Sequence, residues 1–239
     1  MLSRTLLALS AATFALSPVM VQAEPWSYTD SLGNTVSLDE VPTRIIASQD
    51  AAAGLIPLGI RPVGIYADGP LADAKAPEGL DLAGIEIIGQ AWGEVDIEKA
   101  AALQPDLVIA EYWPLDDAWS GGESVVNALR PLAPITGPTN GDSILALIED
   151  YEEIAASLGA DLSEPSIAAD KAAFEASKAA FEAATAAKPN LTALAVWAGT
   201  DALYVAATAG AAELMDFHAW GLNLIDPEVA DDRGYWETL

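Results

Sequence analysis

Over WSYTDSLGNTVSL (26–38) strand-forming residues flank a Leu32-Gly33-Asn34 break, the signature of a β-hairpin. Downstream the pattern changes to short, nearly unbroken apolar runs: RIIAS (44–48), PVGIY (62–66), IEIIG (85–89) and DLVIA (106–110). Each reads as a buried strand. DLVIA is apolar on both faces, as parallel strands covered by helices are. Helical stretches separate the runs. QDAAAGLIPLG (49–59) is closed by Pro57 and Gly59, and DIEKAAALQ (96–104) starts on the N-cap residue Asp96 and is stopped by Pro105. GGESVVNALR (121–130) is a further helix, followed by a short PIT segment (134–136). Residues 67–84, rich in Gly, Pro and Asp, read as an irregular loop.

The clearest helix is DSILALIEDYEEIAASL (142–158). Its Ile144, Leu147, Ile148, Tyr151, Ile154, Ala155 and Leu158 fall on one face at spacings of three and four, and Gly159 supplies a stop. An Ala-, Glu- and Lys-rich helix covers 163–187, ending at Lys188-Pro189. Strand signals resume in LTALAVW (191–197) and LYVAA (203–207), and AAELMDFHAW (211–220) is helical up to Gly221. Strands alternating with helices predict an α/β fold with parallel sheets.

Large aromatics collect at the strand ends. Tyr66 closes PVGIY, Trp92 lies just past IEIIG, Tyr112 and Trp113 follow DLVIA, and Trp197 closes LTALAVW. In open parallel sheets ligands bind beyond the carboxyl ends of the strands. These rings are therefore either a packed lid over the sheet or the walls of a pocket for a large, partly apolar ligand. Gln49, Asp50 and Glu111 share the same edge.

Composition narrows the classes. Residues 1–23, with Arg4, an apolar run and a small-residue end at Ala23, read as a secretory signal peptide. No later segment is apolar for long enough to span a bilayer. The chain has no Cys, so it carries no lipid-attachment cysteine, disulfide or thiolate metal site. The expected product is a soluble periplasmic protein. Its formal charge is −26, and −27 once Arg4 leaves with the leader. Such a surface repels nucleic acid and anionic lipid.

WGEVDIE (92–98), followed by ALQPDLVIA (102–110), resembles the signature of periplasmic binding proteins for ferric siderophores and cobalamin. DSLGN (30–34), PTRIIA (42–47) and LGIRPVG (58–64) are similar to that family's opening. The resemblance implies two Rossmann-like α/β lobes with parallel sheets, joined by a single long helix, with the ligand between them. The implied division is an N-terminal lobe over 24–141, a linking helix over 142–158 and a C-terminal lobe over 159–239. The resemblance implies that this last lobe is incomplete, since the sequence ends at GYWETL (234–239), where similar proteins run on into a Ser-x-Glu helix start, a strand and a helix. The family delivers its ligand to an inner-membrane ABC permease. Trp92 matches a ligand-contacting aromatic of the cobalamin-binding relative, and Glu98 matches the N-lobe glutamate that pairs with permease arginines. Glu98 also sits in the first turn of its helix, where an anion is favoured by roughly 0.3–1 kcal/mol in any case.

Cations decide between ligand classes. Arg44 and Arg61 precede strands and so lie at the edge away from the ligand. Lys171, Lys178 and Lys188 belong to the Ala-rich helix, and Arg130 ends a helix. Arg233, beside Tyr235 and Trp236, is the one cation placed near the cleft, unless it pairs with Asp231 or Asp232. A highly anionic tris-catecholate calls for more. A neutral or cationic ferric hydroxamate fits better, held by Tyr66, Trp92, Tyr112, Trp113, Trp197, Arg233, Tyr235 and Trp236, with cation–π contacts of about 0.5–2 kcal/mol each. Iron enters only as part of that siderophore; no resident cofactor is implied. Cobalamin and haem stay open as alternatives. A bare-metal receptor would want more than the single His218. No nucleophile elbow, zinc-protease motif, phosphate loop or dinucleotide fingerprint is present, so the chain is read as a monomeric binding protein and not as a hydrolase. A scaffold or adhesion role is the remaining class.

Overall fold

The computed structural model describes residues 25–114, 117–141, 143–200, 202–209, 211–226 and 236–238. The chain opens with the expected hairpin, β1 (Trp26–Thr29) against β2 (Thr35–Leu38), turned by Asp30, whose carboxylate accepts the amides of Leu32 and Asn34. Then come β3 (Ile45–Ser48), α1 (Gln49–Leu55), β4 (Gly64–Ala67), β5 (Glu86–Gln90), α2 (Ile97–Ala102) and β6 (Leu107–Ile109). A small antiparallel ribbon, β7 (Tyr112–Trp113) with β8 (Ala118–Trp119), leads to α3 (Gly122–Leu129) and β9 (Ile135–Thr136). The helices start where capping chemistry allows. Ser48 accepts from the Ala51 amide at 3.1 Å, and Asp96 accepts from that of Lys99 at 3.0 Å.

Strands β3, β4, β5, β6 and β9 form one parallel sheet in the order β5-β4-β3-β6-β9. Its two faces belong to two cores, set by the period of two along each strand. Ile45, Ala47, Leu107 and Ile109 pack with α1 and the β1–β2 hairpin. Ile46, Val108 and Ala110 pack with Tyr66, Ile88 and the apolar faces of α2 and α3. Helices on both sides explain why these strands are apolar throughout.

The second half of the chain comprises α4 (Ile144–Ser157), α5 (Pro165–Ala186), β10 (Thr192–Ala193), β11 (Val196–Ala198), β12 (Leu203–Ala206), α6 (Ala212–Ala219), β13 (Asn223–Leu224) and β14 (Trp236–Thr238). Helix α4 lies within 142–158 and contacts elements on both sides of it in sequence. Tyr151, Ile154, Ala155 and Leu158 lie in the first core, while the Ile144 amide donates to the Asp216 carboxylate of α6 at 2.6 Å. The long helix is α5, with 22 residues. Lys171 binds Glu152 of α4 at 2.7 Å, and further along Phe181 stacks on Phe217 of α6 at 5.1 Å.

The second lobe differs from a simple parallel sheet. The expected strand 191–197 is two strands. Strand β10 pairs in parallel with β13, and after a break the chain changes partner, so β11 pairs antiparallel with β12, which pairs antiparallel with β14. Ala206, Ala211 and Leu214 form a separate small core there. No helix of the described residues is long and apolar enough to cross a membrane.

Candidate functional site

The sheet order places a switch point between β3 and β6: from β3 the chain winds outward through β4 and β5, then returns to the other side of β3. Such switch points leave a crevice at the carboxyl ends of the two strands. The residues that leave β3 and β6 there are Asp50, in the first turn of α1, and Glu111, two residues past Ile109.

Glu111 is 4% exposed and fully engaged. Tyr151 donates its hydroxyl to one carboxylate oxygen at 2.6 Å, and the Asn140 side-chain amide donates to the other at 3.2 Å. Burial lifts the Glu111 carboxyl to about 7. The nearby Asp50 charge, and to a lesser degree Glu213, add to the rise, while the bonds from Tyr151 and Asn140 oppose it. Asp68, past the end of β4, is pushed up to about 6 by burial and by Asp50. Asp50 is itself raised by burial and by Glu213, against a lowering bond from Gln49. Three carboxyls, Asp50, Asp68 and Glu111, thus gather near this edge of the sheet, with Glu111 buried beneath. Among the described residues, Arg44, Arg61 and Lys99 lie elsewhere. Arg44 donates to the Leu103 carbonyl at 2.7 Å, and Arg61 donates to the carbonyls of Asp81 and Ala83, both at the amino-terminal edge of the sheet. Lys99 pairs with Glu86 at 3.0 Å.

Four of the expected aromatics converge on one corner, residues 119–122, between β8 and α3. Tyr66 donates its hydroxyl to the Ser120 carbonyl at 3.0 Å. Trp113 donates its indole N–H to the Ser120 hydroxyl at 3.3 Å, and Tyr112 meets Trp119 edge-on with ring centroids 5.3 Å apart. Gly121 and Gly122 follow with φ of 85° and 78°. A β-carbon on Gly121 would stand 2.8 Å from the Tyr66 ring, and one on Gly122 would stand 3.1 Å from Trp92. Two glycines are needed both for the left-handed backbone and for the close approach of the rings.

The individual placements vary. Tyr66 is 1% exposed and belongs to the core, because β4 runs one residue beyond it and α3 covers its ring; it supports the corner from below instead of forming its surface. Trp92 is 62% exposed. Tyr112 is half-buried, and its hydroxyl binds Asp117. Trp197 is 56% exposed on β11 and stacks on Tyr204 at 4.8 Å, apart from the first group. Trp236 is described only by its strand pairing with Ala206. Arg233 and Tyr235 lie outside the described residues. Glu98 is exposed in the first turn of α2, and His218 is exposed in the last turn of α6. The residues that the sequence did not single out are Trp119, Ser120 and the glycine pair. Trp119 lies two residues before Gly121-Gly122, and an aromatic beside a double glycine at a helix start was the available signal.

A separate apolar groove of about 290 Å³ runs between α1, α4 and α5. Leu58, Leu145, Ile148 and Phe174 line it, so it is formed by helices and not by the aromatic corner.

No protein-family model and no curated protein sequence matches the chain. Solved structures do. DesE, a ferric-siderophore receptor protein from Streptomyces coelicolor, is 31% identical, with 90% of this chain and 74% of that one aligned and a TM-score of 0.79. PiuA, an iron uptake ABC transporter substrate-binding protein from Streptococcus pneumoniae, is 19% identical over 89% of this chain and 71% of that one, with a TM-score of 0.62. SirA from Staphylococcus aureus, solved with staphyloferrin B, is 20% identical over 89% and 70%, with a TM-score of 0.60. The last two are alike in fold. With its parallel sheet, long helix and 31% identity to DesE, the chain belongs to the family of ferric-siderophore receptor proteins, which are receptors and not enzymes.

Proposed function

We propose that this protein captures a ferric siderophore of the hydroxamate type between its two lobes, in the periplasm, and hands it to an inner-membrane ABC permease. The observation that carries the reading is the gathering of Tyr66, Trp92, Tyr112 and Trp113 around residues 119–122 at the ligand edge of the parallel sheet. Trp92, Tyr112 and Trp113 offer apolar surface to the organic linkers of the ligand, with buried Tyr66 supporting the corner beneath them. The carboxyls of Asp50 and Asp68 near this edge disfavour a highly anionic tris-catecholate and suit a neutral or cationic complex. Trp197 and Trp236, with Arg233 and Tyr235, supply the facing wall in this reading, and exposed Glu98 docks on the permease as a monomer approaches it. Residues 24–141 and 159–239 act as the two lobes, with 142–158 between them.

Titration of the intrinsic Trp fluorescence with ferrioxamine B and with a ferric tris-catecholate tests the ligand class. Tighter binding of ferrioxamine B is expected. Tighter binding of the catecholate overturns the assignment.

A further inference from the structure

Trp92 sits at the tip of a tight turn that leaves β5. The Glu94 amide donates to the Ala91 carbonyl at 3.1 Å, and Gly93 has φ of 77°, the left-handed value that a type II turn asks of its third residue. The turn rests on the start of α3. Ser124 donates its hydroxyl to the Gly93 carbonyl at 3.0 Å, and a β-carbon on Gly93 would stand 3.1 Å from that hydroxyl oxygen. The indole of Trp92 lies beside Gly122, where a β-carbon would stand 3.1 Å from Cζ2 and 3.4 Å from Cε2. Glycine at both positions removes the side chains that would hold the turn and the helix apart.

An exposed indole at the tip of a turn has two side-chain torsions and little packing to fix them. Trp92 belongs to neither core of the parallel sheet, and most of its surface is open to solvent. On its inner side it meets Gly122. A ring held at one height in the free protein is ordered before a ligand arrives, so binding carries less of the entropy cost of fixing it. Ser124 and Gly122 act on different parts of that arrangement. Ser124 ties down the backbone of the turn, and Gly122 sets how near the indole comes to α3.

We propose that the first turn of α3 is the seat of Trp92: Ser124 anchors the turn, Gly122 lets the indole lie against the helix, and the pair thereby sets the affinity for a bulky ferric complex. Both are positioning residues that act through the ring. The inference rests on the reading of Trp92 as a wall of the ligand site, and two separate measurements tell its failure from the failure of that reading.

The first measurement needs no ligand. It is fluorine NMR of the protein labelled with fluorotryptophan, with the Trp92 signal identified by its loss in Trp92→Phe. Ser124→Ala frees the Gly93 carbonyl, and Gly122→Asn adds bulk at a residue type that tolerates the left-handed backbone. Each is expected to shift the Trp92 signal. The second measurement is calorimetric titration with ferrioxamine B. Each substitution is expected to weaken binding about three-fold or more, and Ser124→Thr, which keeps the hydroxyl, to recover most of the Ser124→Ala loss. In a Trp92→Ala background neither is expected to weaken binding further, because both act through the ring. An unmoved Trp92 signal in both variants, or losses that add to that of Trp92→Ala, overturns the seat while leaving Trp92 in the site. Equal affinity of Trp92→Ala and the wild type overturns the binding role of the ring and the effect of its seat together. If Gly122→Asn does not fold, Ser124→Ala decides alone.

Discussion

Gly54 of α1 lies directly beneath the ring of Tyr151 on α4: a β-carbon there would stand 2.7 Å from three carbons of that ring. The contact lets two helices on one face of the sheet approach closely enough for the Tyr151 hydroxyl to reach Glu111. Gly54→Ala raises helix propensity by up to about 1 kcal/mol, but forcing a methyl into a filled space costs about 1–3 kcal/mol. Overpacking is the larger effect. The variant is expected to be less stable than the wild type in urea unfolding, with a lower midpoint and an unchanged slope.

Glu111 makes stability depend on pH in a definite direction. Its carboxyl is lifted from the ordinary 4.5 to about 7 in the folded chain. Between those values the unfolded chain has released the proton and the folded chain retains it. Stability therefore falls as pH rises through that window and levels off above it. The size is on the order of 3 kcal/mol for a shift of this extent. Asp68 acts in the same direction up to about 6. The difference in unfolding free energy between wild type and Glu111→Gln, followed from pH 4.5 to 8, isolates the Glu111 part and is expected to grow in favour of the glutamine.

Asp216 accepts the first amide of α4 while lying on α6, so one carboxylate closes the junction between the two helices. Ser143 caps the same helix end through the Ala146 amide and remains in the variant. Asp216→Ala is expected to lower stability by about 1–2 kcal/mol, and Asp216→Asn, which keeps an acceptor, by less. Thermal unfolding by circular dichroism gives the ranking.

Trp92 and Trp113 should separate binding from folding. Trp92 is largely exposed, so Trp92→Ala should change stability by no more than about 0.5 kcal/mol. On the proposed reading it weakens ferrioxamine B binding about ten-fold, within the range of one aromatic contact. Trp113, hydrogen-bonded to Ser120, should show loss of both stability and binding in Trp113→Ala. Equal affinity of Trp92→Ala and the wild type would remove Trp92 from the site.

The parallel sheet was legible because its signal is redundant. Ile45, Ile46 and Ala47, and Leu107, Val108 and Ile109, are apolar on both faces, and helix signals, with a cap read at Asp96, separate the runs. The β7–β8 ribbon was not, since two-residue strands have no periodicity and this pair is held by Tyr112 opposite Trp119. LTALAVW misled for another reason. It is a uniform apolar run, but the change of partner from β13 to β12 within it depends on segments distant in sequence. Tyr66 does lie near the carboxyl end of β4, yet whether a ring at a strand end faces outward depends on where the strand stops and what lies over it, here Ala67 and α3. The carboxyl network at the switch point needed the strand order, since Asp50, Glu111 and Asn140 are far apart in the chain and each alone reads as an ordinary polar residue.

Helix α5 meets its neighbours along a single seam. Ile167, Lys171, Phe174, Lys178, Phe181 and Thr185 recur at steps of four and three; Ile167 lines the groove facing α1 and α4, and the others touch in turn Glu152, Trp220, Trp220 again, Phe217 and the Trp220 carbonyl. One extra residue between Lys171 and Phe181 would swing the downstream half by about 100° and carry Phe181 and Thr185 off α6. Seven extra residues would restore the bearing but set the contacts about 10 Å further along. The helix thus works as a keyed shaft, whose residue count, more than its composition, dictates how its two ends are phased.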